Sequence, residues 1–363
     1  MMLSQKSISL LTIAIILSST PLFSQGKKAC KDLLSAVKAE KLEVVKELLA
    51  STNPNCIDKK PESEVIISGN SKMYVLGAQT PLVAACRVGN DQIAELLLAA
   101  GANVELHGEY ELTPLMEAAS FGHVEVAKVL LKNGAKLERT LEGEGTALYV
   151  AARDGQAEMI KFLYEQGANL QGDYGDGTPL IAAARDGHLE TVKTLLTLGA
   201  SLYQKAQGET AMLVAVRDGH ADVVRYLHSA GESIQEDQGD GAPLIIASRE
   251  GHISVMKLLL ELGADINRQT SDGTALSVAA REGQVEALAF LLEQGANVNA
   301  YANGDGTALS IAARDQQREA AVILLEAGAN PTPGGLEATP MYWAEVNGDR
   351  RMKELLEEYT KER

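Results

Sequence analysis

Two short markers recur through the chain on one beat, and that beat restricts the possible folds more than any other property of the sequence. A Thr-Pro-Leu-like element begins at Thr80, Thr113, Thr146, Thr178, Thr210, Ala242, Thr274, Thr307 and Thr339, at intervals of 32 or 33 residues. A glycine after a leucine-rich stretch keeps the same period at Gly101, Gly134, Gly167, Gly199, Gly231, Gly263, Gly295 and Gly328. Two markers in phase describe a tandem unit, each copy stacking on the next to bury an apolar face it cannot bury alone.

One unit shows how the markers work. The Thr178 hydroxyl is placed to cap a helix start, and Pro179 loses no hydrogen bond in the first turn. Leu180 and the run Ala182 to Ala184 point inward, where small side chains let helices approach closely, and Gly187 ends the helix in a tight turn. A second helix carries Leu189, Val192, Leu195 and Leu196 on one face and closes at Gly199. The polar stretch Ala200 to Glu209 reads as a projecting, hairpin-like finger. Composition agrees with thin, aliphatic cores: 45% of residues are hydrophobic but only 4% aromatic.

The order Thr-Pro-Leu, Ala-Ala, Gly-His, Leu-Leu, Gly-Ala resembles the ankyrin repeat, and the resemblance runs from Lys31 to the C-terminus. It implies an all-α repeat solenoid of stacked helix-turn-helix units with projecting hairpin fingers, and a role in holding another protein. The sequence departs from the family where a His usually follows Thr-Pro-Leu; here Val83, Met116, Tyr149, Ile181, Leu213, Ile245, Ser277, Ser310 and Tyr342 stand instead. We divide the chain into an N-terminal capping unit at 27–56, an insertion at 57–79, an array of eight repeats at 80–338 and a C-terminal capping repeat at 339–363. In the insertion, Glu64 to Ser68 and Ser71 to Leu76 flank Gly69-Asn70 and predict an extended β-hairpin.

Residues 1–26 read as a cleaved signal peptide. Lys6 precedes a short apolar run from Ile8 to Leu17, too short for a hydrocarbon core of roughly 30 Å, and Ser24 and Gly26 offer a peptidase site. The expectation is a periplasmic or secreted protein. An oxidising compartment permits a disulfide, and Cys30, placed before the first helix, and Cys56, after the second, should lie side by side. Cys86 falls where other repeats have Ala and reads as a small core residue.

Catalytic signatures such as His-Glu-x-x-His, Gly-x-Ser-x-Gly and Cys-x-x-Cys do not occur, so we expect no enzyme, no metal and no cofactor. His123, His188, His220 and His252 hold one position in successive repeats, about 8 to 10 Å apart, too far to share zinc; they read as turn residues. Gly143-Glu144-Gly145 and Gly175-Asp176-Gly177 recur with the period as finger turns rather than calcium loops. A net charge of -16 disfavours nucleic acid and anionic lipid surfaces.

The candidate binding surface is a pair of columns at the end of each first helix: Arg153-Asp154, Arg185-Asp186, Arg217-Asp218, Arg249-Glu250, Arg281-Glu282 and Arg314-Asp315. The resemblance implies that these positions face the concave groove where a protein docks. The alternative is a solvated ladder in which each Arg pairs with the acid of the next repeat, each link worth about 0 to 1 kcal/mol. Ser120 and Phe121 interrupt the columns, and with Tyr74 and Tyr110 they suggest an aromatic anchor patch. The seven fingers from Ala102 to Gly306 carry sixteen acids against four bases, which favours a cationic partner or simply keeps the array soluble. The reading is a monomeric, non-enzymatic scaffold for a partner protein; a structural spacer and a secreted effector acting on a host protein are the alternatives.

Overall fold

The computed structural model describes residues 21–57, 65–68, 72–75, 79–108, 111–141, 143–174, 177–235, 242–302, 306–333 and 339–361, with side chains from residue 26 onward and backbone alone for 65–68 and 72–75. The twenty helices among these residues fall into two compact units, Met1–Gly175 and Asp176–Arg363.

The first unit holds four helix pairs: α1 (Pro21–Lys38) with α2 (Leu42–Leu49), α3 (Pro81–Val88) with α4 (Asp91–Ala99), α5 (Pro114–Ser120) with α6 (Val124–Lys132), and α7 (Ala147–Arg153) with α8 (Ala157–Glu165). Between the first two pairs, β1 (Val65–Ser68) and β2 (Lys72–Val75) run antiparallel, with Val65 opposite Val75 and Ser68 opposite Lys72. The second unit holds six pairs: α9 (Pro179–Arg185) with α10 (Leu189–Thr197), α11 (Ala211–Arg217) with α12 (Ala221–Ser229), α13 (Pro243–Glu250) with α14 (Ile253–Glu261), α15 (Ala275–Glu282) with α16 (Val285–Glu293), α17 (Ala308–Arg314) with α18 (Arg318–Glu326), and α19 (Pro340–Val346) with α20 (Arg350–Lys361). A short ladder of β3 (Tyr301–Ala302) and β4 (Gly306–Thr307) braces one finger. In each unit first helices pack on first helices and second helices on second helices.

Capping sets where each first helix begins. The Thr80 hydroxyl accepts the Val83 N–H at 3.2 Å, and Thr113, Thr146, Thr178, Thr210, Thr274, Thr307 and Thr339 repeat the bond three residues on. Ala242 has no hydroxyl, and α13 starts without a side-chain cap. The residue three after the cap is fully buried in the interior repeats, as at Val83, Ile181 and Leu213. This is where the familiar His is missing: the position is core, and the cap works without it.

The turn between paired helices explains the glycine and the residue after it together. Gly89 adopts φ 80°, and a Cβ there would come within 2.5 Å of the His123 ring of the following repeat. His123 Nε2 in turn lies 3.2 Å from the Arg87 carbonyl at the end of α3. His220 and His252 meet the Arg185 and Arg217 carbonyls in the same way, at 2.8 and 2.7 Å. Gln156, Gln284 and Gln317 donate to the equivalent carbonyls of Ser120, Arg249 and Arg281. An amide or imidazole N–H thus satisfies a helix-end acceptor across each of these repeat junctions.

The N-terminal pair differs from expectation at Cys30. It lies inside α1, because Pro21 starts that helix and nothing from Gly26 to Lys38 breaks it. Cys30 is bonded to Cys56, with Cα atoms 5.8 Å apart. The bridge fastens the middle of α1 to the chain just beyond α2. Cys86 is fully buried, and burial pushes its thiol well up.

Candidate protein-binding surface

At the edge that holds the six Arg and acid pairs, each Arg lies in the last turn of its first helix, where it complements the negative helix end, just ahead of a left-handed turn at Gly155, Gly187, Gly219, Gly251, Gly283 or Gln316. In the first unit this edge carries Arg153 and Asp154. Asp154 accepts from Arg153 Nε at 3.1 Å and from Ser120 Oγ at 2.6 Å, while Arg153 Nη1 reaches Glu144 in the finger at 2.5 Å. Burial works against the Arg153 charge, but Asp154 and Glu144 outweigh it and hold the guanidinium more firmly protonated.

The second unit carries the other five pairs. Arg217 is held by Glu209 of its own finger and stands 3.9 Å from its neighbour Asp218. Arg314 Nη2 donates to Asp315 at 3.1 Å. Arg249 reaches forward to Asp272 of the next finger at 2.6 Å, and Arg281 Nη2 donates to the Asp272 carbonyl at 3.3 Å. Arg185, Asp186, Glu250 and Glu282 line the same edge by register. Burial raises the Asp218 carboxyl, opposed by Arg217, His220 and Arg185. The bonds of Arg153, Arg217 and Arg314 therefore differ from the expected ladder. These arginines bond the next residue along the chain or their own finger.

Finger carboxylates have jobs of their own. Glu105 accepts the Lys136 N–H at 2.8 Å and Glu138 accepts the Asn169 N–H at 3.1 Å, each tying one finger to the next. With Glu144, Glu209 and Asp272 engaged by arginines, these five finger acids are structural, which neither solubility nor partner charge would have indicated.

Sequence reasoning missed a buried ion cluster in the first unit. Glu117 sits on α5 and is 2% exposed; it accepts from Arg87 Nε, and Glu111, 6% exposed, lies 3.4 Å from Arg87 Nη2. Burial raises the Glu117 carboxyl, with Arg87 pulling the other way. The signal was present: four residues after each cap the chain has Ala84, Val150, Ala182, Val214, Ile246, Val278, Ile311 and Trp343, and Glu117 breaks that apolar column.

Of the aromatic patch, Phe121 is 48% exposed and its ring lies parallel to that of His123, centroids 6.1 Å apart. Tyr110 and the Tyr74 side chain lie outside the described residues. At the far end of the second unit, α20 is charged as a terminal helix should be, but Tyr342 and Val346 on α19 are 47% and 57% exposed. Among the described residues no group of His, Cys, Asp and Glu side chains is placed to share a metal ion.

Paired antiparallel helices, left-handed glycine turns and fingers repeating every 32 or 33 residues define a helical repeat protein whose exposed edge is built from helix ends. The family profile described as "Ankyrin repeats (3 copies)" matches residues 33–140, 136–206, 199–270 and 269–334. The chain belongs to the ankyrin-repeat family. It is similar to the crystal structure of the human ASB11 ankyrin repeat domain, with 28% identity and a TM-score of 0.54 over 61% of this chain and all of that one. No curated protein matches the sequence. Structural likeness extends to 494 solved chains, so the fold selects no single function.

Proposed function

We propose that the protein is a non-enzymatic scaffold, exported to the periplasm or beyond, that holds a partner protein on the edge formed by its first-helix ends and fingers. Ankyrin repeats are general protein–protein interaction modules, and the family match indicates no catalytic domain. The observation that carries the reading is the state of the arginines. Arg217, Arg249 and Arg314 keep 26 to 35% of their side chains exposed while carboxylates fix their direction. A half-exposed, oriented guanidinium offers bidentate contacts with little further ordering to do.

Export is supported by the Cys30–Cys56 bridge, which an oxidising compartment maintains. A cut after Gly26 falls at exposed Gly26 and Lys27 and leaves the buried Cys30, Leu33, Leu34 and Val37 of α1 in place. Residues 1–20 lie outside the described residues, and no helix among those described is long and apolar enough to cross a membrane. We take the protein to be a monomer.

Crosslinking in intact cells followed by mass spectrometry would supply the partner. Replacing Arg185, Arg217 and Arg249 together with Ala should then cut its recovery at least about tenfold, since each oriented Arg contributes upward of 1 kcal/mol. Thermal unfolding should shift by only a few degrees. Full recovery by the triple variant would remove the arginine edge as the docking surface.

A further inference from the structure

Phe121 occupies a position that six other repeats give to Asp or Glu, namely Asp154, Asp186, Asp218, Glu250, Glu282 and Asp315, while the first repeat of the array has Val88 there and the last has Asn347. It caps the C-terminal end of α5 through its N–H bond to the Glu117 carbonyl, which puts it one helical turn from the Glu117 side chain on the same face. Its neighbours are fixed on both sides. His123, parallel to the ring, is tied to the Arg87 carbonyl at 3.2 Å, and Ser120 Oγ is tied to Asp154 at 2.6 Å.

Phe121 thus stands in the chain between residues tied to two ion clusters, His123 to the Arg87 that bonds Glu111 and Glu117, and Ser120 to the Asp154 that shares Arg153 with Glu144. In these clusters four carboxylates bond two guanidinium groups, so acids outnumber arginines around the residues that flank the exposed ring. Glu111 and Glu117 keep only 4% and 3% of their side chains exposed and cannot swing away into solvent. In such a partly dry setting their field is screened less than that of a surface acid. A partner anion would be repelled here, and a purely apolar side chain would use the ring but not the charge. A cation with an aliphatic stem uses both, since its methylene groups cover the ring edge while the charge meets the aromatic face and the carboxylates.

We propose that Phe121 is the anchor of a docking surface on the first unit for a basic segment of a partner protein, one Lys or Arg side chain lying on the ring. This rests on the reading that the chain holds a partner protein, and it names the chemistry of that partner at a place separate from the arginine row of the second unit.

The test uses the full mature chain and two fluorescently labelled synthetic peptides of equal length, one alternating Leu-Arg and one alternating Leu-Glu, followed by anisotropy at physiological salt. The Leu-Arg peptide should bind and the Leu-Glu peptide should not. Phe121→Ala should weaken Leu-Arg binding about tenfold, the scale of a desolvated cation–π contact, and Phe121→Trp should retain it. Tyr301→Ala, removing another exposed aromatic in the second unit, should leave it unchanged and so exclude mere attraction to an acidic protein. Circular dichroism should show all variants folded, because both rings are exposed. No binding of the Leu-Arg peptide, equal losses from the Phe121 and Tyr301 changes, or binding of Leu-Glu in its place would overturn the proposal. Because the peptides are of defined composition, that failure would leave the test of the second unit's arginines standing on its own.

Discussion

Four residues beyond the helix cap, the second unit buries Ala182, Val214, Ile246, Val278 and Ile311, while the first buries Ala84, Glu117 and Val150. The two units otherwise share caps, turns and small-residue packing. The second shows that an uninterrupted aliphatic column suffices to stack these helices. Glu117 is therefore not needed for the fold, and its desolvation opposes it. The chain tolerates the carboxylate only because Arg87, one repeat earlier, reaches over to it. The same site that weakens the stack sits one turn below an exposed Phe121, which fits a surface selected for contact rather than for packing.

Three changes would break or sharpen this contrast, the most damaging first. Ile246→Glu places an acid at the equivalent point of the second unit with no provision for a partner, and should cost on the order of 5 kcal/mol. Urea titration, with hydrogen exchange to localise the loss to α13 and its neighbours, would measure it; a cost under about 2 kcal/mol would mean that the column accepts charge anywhere. Arg87→Ala in the first unit strands Glu117 and should cost about 3 kcal/mol, at the lower end for a broken buried pair because Arg87 is 29% exposed. Glu117→Val leaves Arg87 both water and Glu111, and should stay within about 1 kcal/mol of wild type by the same titration.

The smallest effect is one of pH. The folded state holds the Glu117 proton more tightly than the unfolded chain does, because burial outweighs the pull of Arg87 and Arg153, with Asp154 adding to burial. More protons bound in the folded state means that stability rises as pH falls, between the raised folded value and the ordinary glutamate value. Lowering pH through that window should stabilise wild type relative to Glu117→Gln, and the gap should be constant below it. Asp349 behaves oppositely. It is buried, but Arg318 and the Met352 N–H hold its carboxyl below the ordinary range, so its contribution is lost only as pH falls through that depressed value.

Much of this was legible from residues. The Thr caps, the Gly turns, the two antiparallel strands at Val65–Ser68 and Lys72–Val75, and the Arg and acid columns can all be placed from local pattern, because each depends on neighbours within one unit. The pairing of Cys30 with Cys56 was also readable, although not the placement of Cys30 within α1: no residue marks where a helix begins when Pro21 and the residues from Leu22 to Lys28 all permit one. What the finger acids do was hidden, since Glu105 and Glu138 satisfy backbone N–H groups about thirty residues away along the chain. The Arg partners were hidden for a related reason. Choosing among Asp154, Glu144 and the acid of the next repeat depends on a few ångströms of side-chain reach that periodicity does not encode.

By itself the sequence determined the repeat, its helix pairs and the residues that line its edge, because helix periodicity, capping and glycine turns are short-range physics repeated many times. Only the tertiary structure decided which of those charges are occupied. Stacking brings Arg87 onto Glu117, Gln156 onto the Ser120 carbonyl and Ser120 onto Asp154, each across a repeat boundary. Whether an acid is a free surface charge or a buried partner is a question of distance in space, which the order of residues along a chain does not fix.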